Sequence, residues 1–310
     1  MLVPTDFSQS SLDALEFALP LLKFFGAKLH LAHVAPPDYP LSSLVDLPIV
    51  LPEVEIGRRV RRRLKDAAKK FSVELRPENI HALKGNPFAE VCRLARDVDI
   101  DLIVIATRGQ TGLKHLLLGS TTERIVRYSP CPVLVARPAD SRSDNGKLPQ
   151  GQIGFRKILV PVDFSEPSSN GLAFATSFAR RFKSKLLLLH SVNLEYYVAS
   201  DEYARYDFPE LLRETEQAAR QQLNDLVRKR DWAGMEVQAV LKIGHAGQQI
   251  CAGAQDFGTD LIITSTHGRT GLKHVLLGST AEYVVRHAHC SVLVVPAHLR
   301  PQLTSTKAKT

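Results

Sequence analysis

The chain of 310 residues is short of several things, and each shortage removes a class of function. Cysteine is scarce: there are four, none in a C-x-x-C pair, which argues against both a zinc site and a disulfide framework. No apolar run reaches the roughly 18 to 20 residues that a membrane helix needs, so no membrane partner is expected. The opening residues, Met1 to Asp6, carry no charged leader or cleavage site. No secretory signal is therefore expected, and the cytoplasm is the expected compartment. The phosphate-loop pattern G-x-x-x-x-G-K-[ST] is missing, as are a Ser-His-Asp order and a metal-spaced set of histidines. What remains is the composition of a soluble globular protein, 44% hydrophobic and 23% charged, long enough for two domains that each bury a core.

Acidic residues are also in the minority, and the net charge is +8. Much of the excess sits in one segment, where Arg58, Arg59, Arg61, Arg62, Arg63, Lys65, Lys69 and Lys70 outnumber Glu53, Glu55 and Asp66. An anion or nucleic-acid patch is one reading, and a solvated helix face is the other. No aromatic residues interleave with the arginines as single-strand stacking would require, so the solvated face is the expectation and nucleic acid is not an expected partner.

The sequence is organised by a duplication. Val-Pro-Thr-Asp-Phe-Ser at Val3 to Ser8 returns as Val-Pro-Val-Asp-Phe-Ser at Val160 to Ser165. The block from Thr111 to Thr121 returns from Thr270 to Thr280, differing only at Leu116 and Val275. Both pairs keep their order and nearly their separation, so two whole domains are repeated rather than a short solenoid unit. Cys92 matches Cys251 and Cys131 matches Cys290, which makes all four small hydrophobes at equivalent packing positions. The expected division is a first domain over 1–138, a linker over 139–154, a second domain over 155–298 and a disordered tail over 299–310.

Each half alternates strand and helix. Strands are expected at Leu2 to Thr5, Leu29 to Val34, Ile80 to Lys84, Asp101 to Ala106 and Val133 to Ala136. Their counterparts include Lys157 to Val162, Leu186 to His190, Asp260 to Ser265 and Val292 to Val295. Apolar positions Leu15, Ala18, Leu19, Leu22 and Phe25 recur at helical spacing, with Ser8 or Ser165 able to cap the helix and Pro20 expected to kink it. A long helix is expected near Val54 to Phe71, others near Gly119 to Tyr128 and after Asn86-Pro87, where asparagine would cap. This order predicts an α/β fold: two tandem open five-stranded parallel α/β sandwiches, Rossmann-like, with helices on the sheets.

Ligands of an open parallel sheet bind beyond the carboxyl ends of the strands, where the winding reverses. Two loops per half should meet there. One carries Pro4 and Asp6, or Pro161 and Asp163. The other runs from Ala106 to Thr121, or from Ser265 to Thr280, and is built like a phosphate cradle. Gly109 and Gly112 allow close backbone approach, and Gly119-Ser120-Thr121 opens a helix whose free N–H groups favour an anion. Thr107, Gln110 and Thr111 belong to the same loop, with Arg108, Lys114 and His115 adding positive charge. The second copy offers Thr266, His267, Gly268, Arg269, Thr270, Gly271, Gly278, Ser279 and Thr280, with Lys273 and His274. Asp6 and Asp163 have a second reading as turn residues bonding their own backbone. His33 and His190 read as satisfied core histidines.

These motifs resemble the universal stress protein family, in both halves and over nearly the whole chain. Its nucleotide-binding members carry Gly-x2-Gly-x9-Gly-Ser after the fourth strand. The second glycine matches Gly109 or Gly268, and the closing pair matches Gly119-Ser120 or Gly278-Ser279. Ala106 and Ser265, both small, stand at the first glycine. The resemblance implies an adenine nucleotide alpha hydrolase-like fold, with adenine and ribose contacts at Pro4 and Asp6, and at Pro161 and Asp163. It implies an apolar adenine contact at Val34, where the second half has Ser191, a poorer surface for a purine. The implied cofactor is ATP, with ADP or AMP as alternatives, and Mg2+ as an ion that Asp6 or Asp163 could reach through the phosphates. A cytoplasmic stress-response regulator follows, with a slow ATPase and a protein-interaction module with a decayed site as competing readings. The lack of motifs for metal clamping and water activation favours a binder without fast catalysis and leaves enzymatic activity open.

The fifth strands, Cys-Pro-Val-Leu-Val-Ala and Cys-Ser-Val-Leu-Val-Val, are apolar on both faces. From the resemblance they lie at a sheet edge, and a hydrophobic edge invites a partner. Pseudo-two-fold pairing of the repeats through these strands is expected, with no disulfide between Cys131 and Cys290, and a further homodimer is open.

Overall fold

A computed structural model describes residues 1–35, 53–107, 118–137, 154–193, 208–268 and 277–299. The chain divides into two compact units, Met1–Ile153 and Gly154–Thr310. Of the expected linker, residues 139–153, and of the expected tail, residues 300–310, lie outside the described residues.

The first unit contains β1 (Leu2–Pro4), α1 (Gln9–Phe25), β2 (His30–Ala35), α2 (Glu53–Lys70), β3 (Ile80–Lys84), α3 (Pro87–Asp97), β4 (Ile103–Ala106), α4 (Ser120–Tyr128) and β5 (Val133–Ala136). Its strands lie in the order β3-β2-β1-β4-β5, and every neighbouring pair is parallel. The second unit repeats this with β6 (Lys157–Pro161), α5 (Glu166–Phe182), β7 (Lys185–Val192), α6 (Phe208–Arg228), β8 (Val237–Ile243), α7 (Ala246–Asp256), β9 (Leu261–Ser265), α8 (Ser279–His287) and β10 (Ser291–Val295). There the order is β8-β7-β6-β9-β10, again parallel throughout. The sheets are open, not barrels. Strands covered on both faces read as continuous apolar runs, and β4 and β5 are accordingly buried at every residue.

Winding runs outward one way through β1, β2 and β3 and the other way through β4 and β5. The reversal therefore falls between β1 and β4, and between β6 and β9. α1 lies against β4 and α5 against β9, their small buried residues permitting close approach to the sheet. Ser8 caps α1 by accepting from Ser11 N at 3.3 Å, and Ser165 caps α5 by accepting from Ser168 N at 3.3 Å.

α1 runs through Pro20 to Phe25, with Ala14, Leu15, Ala18 and Leu21 buried on both sides of the lost backbone donor. One local expectation is revised. Asn86 occupies the cap position of α3, but its side chain makes no capping hydrogen bond. Pro87 at the helix start already removes one of the backbone donors that a cap would satisfy.

Candidate functional site

At the reversal, the first loop leaves β1 through Pro4 and turns at once into α1. Asp6 makes the turn: its Oδ1 accepts from Ser8 N at 3.0 Å and from Ser8 Oγ at 2.5 Å. Asp163 repeats both bonds, from Ser165 N at 3.0 Å and from Ser165 Oγ at 2.6 Å. The turn reading of these aspartates is thus realised in one carboxylate oxygen of each. The intervening residues, Phe7 and Phe164, sit at φ 65° and 63°, a left-handed conformation unusual for an aromatic side chain.

What holds them there is packing against the end of the second strand. The Phe7 ring lies 4.6 Å from that of His33, and Phe164 lies 4.7 Å from His190. Each histidine bonds through Nδ1 to the carbonyl just before the aspartate, His33 to Thr5 O at 2.8 Å and His190 to Val162 O at 2.6 Å. A carbonyl can only accept, so Nδ1 carries a proton in each ring. Burial pushes the His33 pKa down, against the opposing effect of the Thr5 carbonyl. The Arg63 guanidinium of α2 sits 4.0 Å over the Phe7 ring, bringing positive charge to this loop.

The second loop is pinned at both ends. In the first unit, Gly119 N donates to Thr107 O at 2.9 Å and Thr122 Oγ1 to Ala106 O at 3.0 Å. In the second, Gly278 N donates to Thr266 O at 2.8 Å. These bonds hold the start of α4 and α8 beside the end of β4 and β9. Gly119 and Gly278 are the cap residues, and neither helix start has a side-chain cap, so first-turn N–H groups remain for an outside acceptor. Ser120, Thr121 and Ser279 are exposed there, with Thr280 half-buried. A Cβ built at Gly278 would stand 3.3 Å from Thr266 O, so this closing glycine permits the tight return. A Cβ built at Gly268 would fall on Asp163 Oδ2, which places the two loops in direct approach.

Ser265 and Ala106 stand where the family pattern has its first glycine. Ser265 Oγ donates to His267 O at 2.7 Å, and Thr266 Oγ1 lies 2.9 Å from His267 Nδ1, so the serine and threonine brace the loop. The extra size of Ser265 is matched by Gly171 on α5, whose added Cβ would lie 3.5 Å from Ser265 Cβ. In the first unit the corresponding residues are Ala14 and Ala106, both buried. The mass has moved from helix to strand.

The second strands supply the third wall. Val34 pairs with Leu83 and Ser191 with Lys242, each two residues past the one that faces the end of β1 or β6. Val34 is buried, and Ser191 Oγ donates to Gly244 O at 2.7 Å. Arg108, Gly109, Gln110, Thr111, Gly112, Lys114 and His115 lie outside the described residues, as do Arg269, Thr270, Gly271, Lys273 and His274. Pro4, Asp6, Ala106, Thr107, Gly119, Ser120 and Thr121 meet around the reversal in the first unit. Pro161, Asp163, Ser265, Thr266, His267, Gly268, Gly278, Ser279 and Thr280 do so in the second.

Sequence reasoning missed Gly85 and Gly244, at φ 142° and 128°, which end β3 and β8 beside this wall. Gly85 N donates to Ala35 O at 2.9 Å and Gly244 N to Val192 O at 2.9 Å. Their recurrence at matching places in the two copies was the available signal.

The universal stress protein family model matches twice, over residues 1–137 and 154–296. The chain belongs to the universal stress protein family. About half of the chain aligns with most of the length of single small members. Universal stress protein MJ0531 of Methanocaldococcus jannaschii is 30% identical over 152 residues, 49% of this chain and 88% of its own length. Universal stress protein YxiE of Bacillus subtilis is 33% identical over 145 residues, 44% of this chain and 97% of its own length. A crystal structure of a universal stress protein from Archaeoglobus fulgidus covers 96% of this chain and 98% of its own, with TM-score 0.60 and 20% identity, a likeness of fold. Among the described residues, no helix of this universal stress protein is long and apolar enough to cross a membrane.

Proposed function

We propose that this tandem universal stress protein is a cytoplasmic stress-response regulator that binds ATP, or the related ADP or AMP, at the winding reversal of its repeats. The observation that carries the reading is the helix start at Gly119-Ser120-Thr121, uncapped by any side chain and tied by Gly119 N to Thr107 O. Phosphates would accept from its free N–H groups and hydroxyls, assisted by the helix dipole. Adenine and ribose would lie against Pro4, Asp6 and Val34, with Gly109 and Gly112 carrying the backbone past the phosphates. Asp6 and the phosphates could hold Mg2+. The groups present suit an anionic nucleotide, because backbone donors and small residues crowd one end of the sheet.

The second unit offers the same cradle with a weaker purine wall, since the Ser191 hydroxyl is directed to Gly244 O. The first site therefore binds more tightly. Calorimetric titration of ATP into Gly109→Val and Gly268→Val variants reads each site separately. Loss of the tighter isotherm in the first variant supports the assignment, and unchanged affinity in it, or equal affinities at the two sites, contradicts it.

Turnover is slow or nil, because the motifs for orienting water and clamping a metal are missing from the sequence. Steady-state hydrolysis near the enzyme median of about 10 per second would contradict a binding role. The fifth strands, apolar and last in each unit's own sheet, favour pairing of the two repeats about a pseudo-two-fold axis.

A further inference from the structure

The cationic helix α2 changes meaning when it is set beside its duplicate, α6. Both helices are anchored by equivalent buried residues: Val60 and Leu64 in one, Ala219 and Leu223 in the other. On those anchors, Arg58, Arg62 and Lys65 correspond to Gln217, Gln221 and Asn224. From 58 to 70 there are eight basic residues and one acid, whereas from 217 to 229 there are three and one. The fold therefore accepts neutral amides at this face, and the charge is additional to what folding needs.

The partners differ as well. Within 217–229 each of the three cations is ion-paired: Arg220 with Glu216 at 2.8 Å, Arg228 with Asp225 at 2.6 Å and Lys229 with Asp225 at 3.4 Å. In α2, Arg58 and Arg59 share Glu55, Arg61 donates to Ile80 O at 2.8 Å, and Arg63 lies on Phe7. Arg62, Lys65, Lys69 and Lys70 are exposed, and their side chains make no ion pair or hydrogen bond among the described residues. Like charges at i,i+4, such as Arg58 with Arg62 and Lys65 with Lys69, weaken a helix by repulsion. Arg62 and Lys65 are unpaired and stand where the duplicate has neutral amides, while Lys69 and Lys70, whose counterparts Arg228 and Lys229 are ion-paired, are unpaired here; this excess points to an external anion.

We propose that the outer face of α2 is a sequence-independent binding surface for duplex nucleic acid, held through its phosphates. Arg58, Arg62, Lys65 and Lys69 follow the i, i+4, i+7, i+11 spacing of one straight stripe, about 16 Å long at 1.5 Å per residue. A phosphate backbone offers continuous negative charge over that length and needs only electrostatic contacts. A membrane is disfavoured because the apolar face of α2 is already buried within its unit, leaving Val54 as the exposed large apolar side chain of the helix. An acidic protein partner is disfavoured because the stripe has no aromatic or apolar centre around which an interface could dehydrate.

The test is fluorescence anisotropy of a labelled mixed-sequence 20-base-pair DNA duplex with the full chain, over a salt series starting at about 50 mM. Four phosphate contacts predict a slope of log K on log salt of about −3.6. The variant Arg58→Gln, Arg62→Gln, Lys65→Asn copies the duplicate helix and should shift that slope toward zero by about 2.7, weakening binding at least tenfold at low salt. The converse variant, Gln217→Arg, Gln221→Arg, Asn224→Lys, should steepen it, and remains decisive should the first variant not fold. The proposal is overturned if the parent does not bind the duplex at low salt, or if neither variant changes the slope. It is equally overturned if the chain binds vesicles of 30% phosphatidylserine and not the duplex.

Discussion

At the scale of single residues, Asp6 and Asp163 each spend one carboxylate oxygen on a turn and leave the proposed ligand role to the other. Oδ1 closes the turn into the helix, and in the second unit Oδ2 meets the glycine of the opposite loop. Asp6→Asn keeps an acceptor for Ser8 N while removing the charge. Its unfolding free energy should change by no more than about 0.5 kcal/mol, and its ATP affinity should fall at least tenfold. Asp6→Ala should lose both. Chemical denaturation and calorimetry on the pair separate the roles, and an Asp6→Asn variant that binds ATP normally would leave only the turn. A different residue pair contributes to acid sensitivity. His30 Nδ1 and His81 Nε2 lie 3.1 Å apart, and the rings stack at 5.3 Å. The His81 pKa is lowered to about 4, first by burial, then by His30 and Arg61, while His30 is lowered by burial, the terminal amine and Lys28. Since the folded state holds the neutral ring, acidification from the unfolded value of about 6.5 down to about 4 protonates the unfolded chain preferentially. Stability is therefore fully present above about 6.5 and falls across that window. His81→Gln should flatten this limb in thermal unfolding followed between pH 7.5 and 4, and an unchanged limb would remove the pair from the account.

At the scale of elements, duplicated helices solve the same problems with different residues. α1 ends on Gly26 at φ 60°, and α5 ends on Lys183 at φ 54°, the same left-handed cap without glycine's freedom. Lys183→Gly should stabilise the protein by up to about 1 kcal/mol, and Gly26→Ala should destabilise it by about 1 kcal/mol. Ser8→Ala and Ser165→Ala should each cost about 1 kcal/mol, whereas Asn86→Ala should cost little, since its side chain makes no cap bond. Denaturant titration of these variants reads all five values, and a cost at Asn86 equal to that at Ser8 would contradict the cap assignments. The contrast also marks what was legible in the sequence. The strands at Ile80 to Lys84 and Val133 to Ala136 were bounded correctly, because apolar runs between turn residues carry their own limits. Asn86 misled because residue type alone does not reveal whether a side chain turns toward the helix. The left-handed Phe7 and Phe164 were invisible locally, since the conformation is imposed by His33 and His190 from a distant strand.

At the scale of the whole molecule, the duplication makes one chain out of what resembles two small family members. The four cysteines remain thiols, and burial raises Cys92 and Cys131 to about 11, in keeping with packing rather than reactivity. If the repeats pair through their fifth strands, Leu134→Pro in the first unit should speed amide hydrogen exchange at Val292 to Val295 in the second. Unchanged protection there would show that β10 has no such partner. Paired repeats would place two cradles in one molecule, of unequal affinity because Val34 and Ser191 differ. The claim on which the rest depends is that the cradle beside Gly119-Ser120-Thr121 holds an adenine nucleotide. The most direct measurement is to incubate the purified chain with ATP, ADP and AMP, desalt it, denature it and identify what is released by mass spectrometry. The account predicts adenine nucleotide at up to two per chain, with less than one per chain from the Gly109→Val variant. Release of none from the parent protein, or equal release from both proteins, would contradict it.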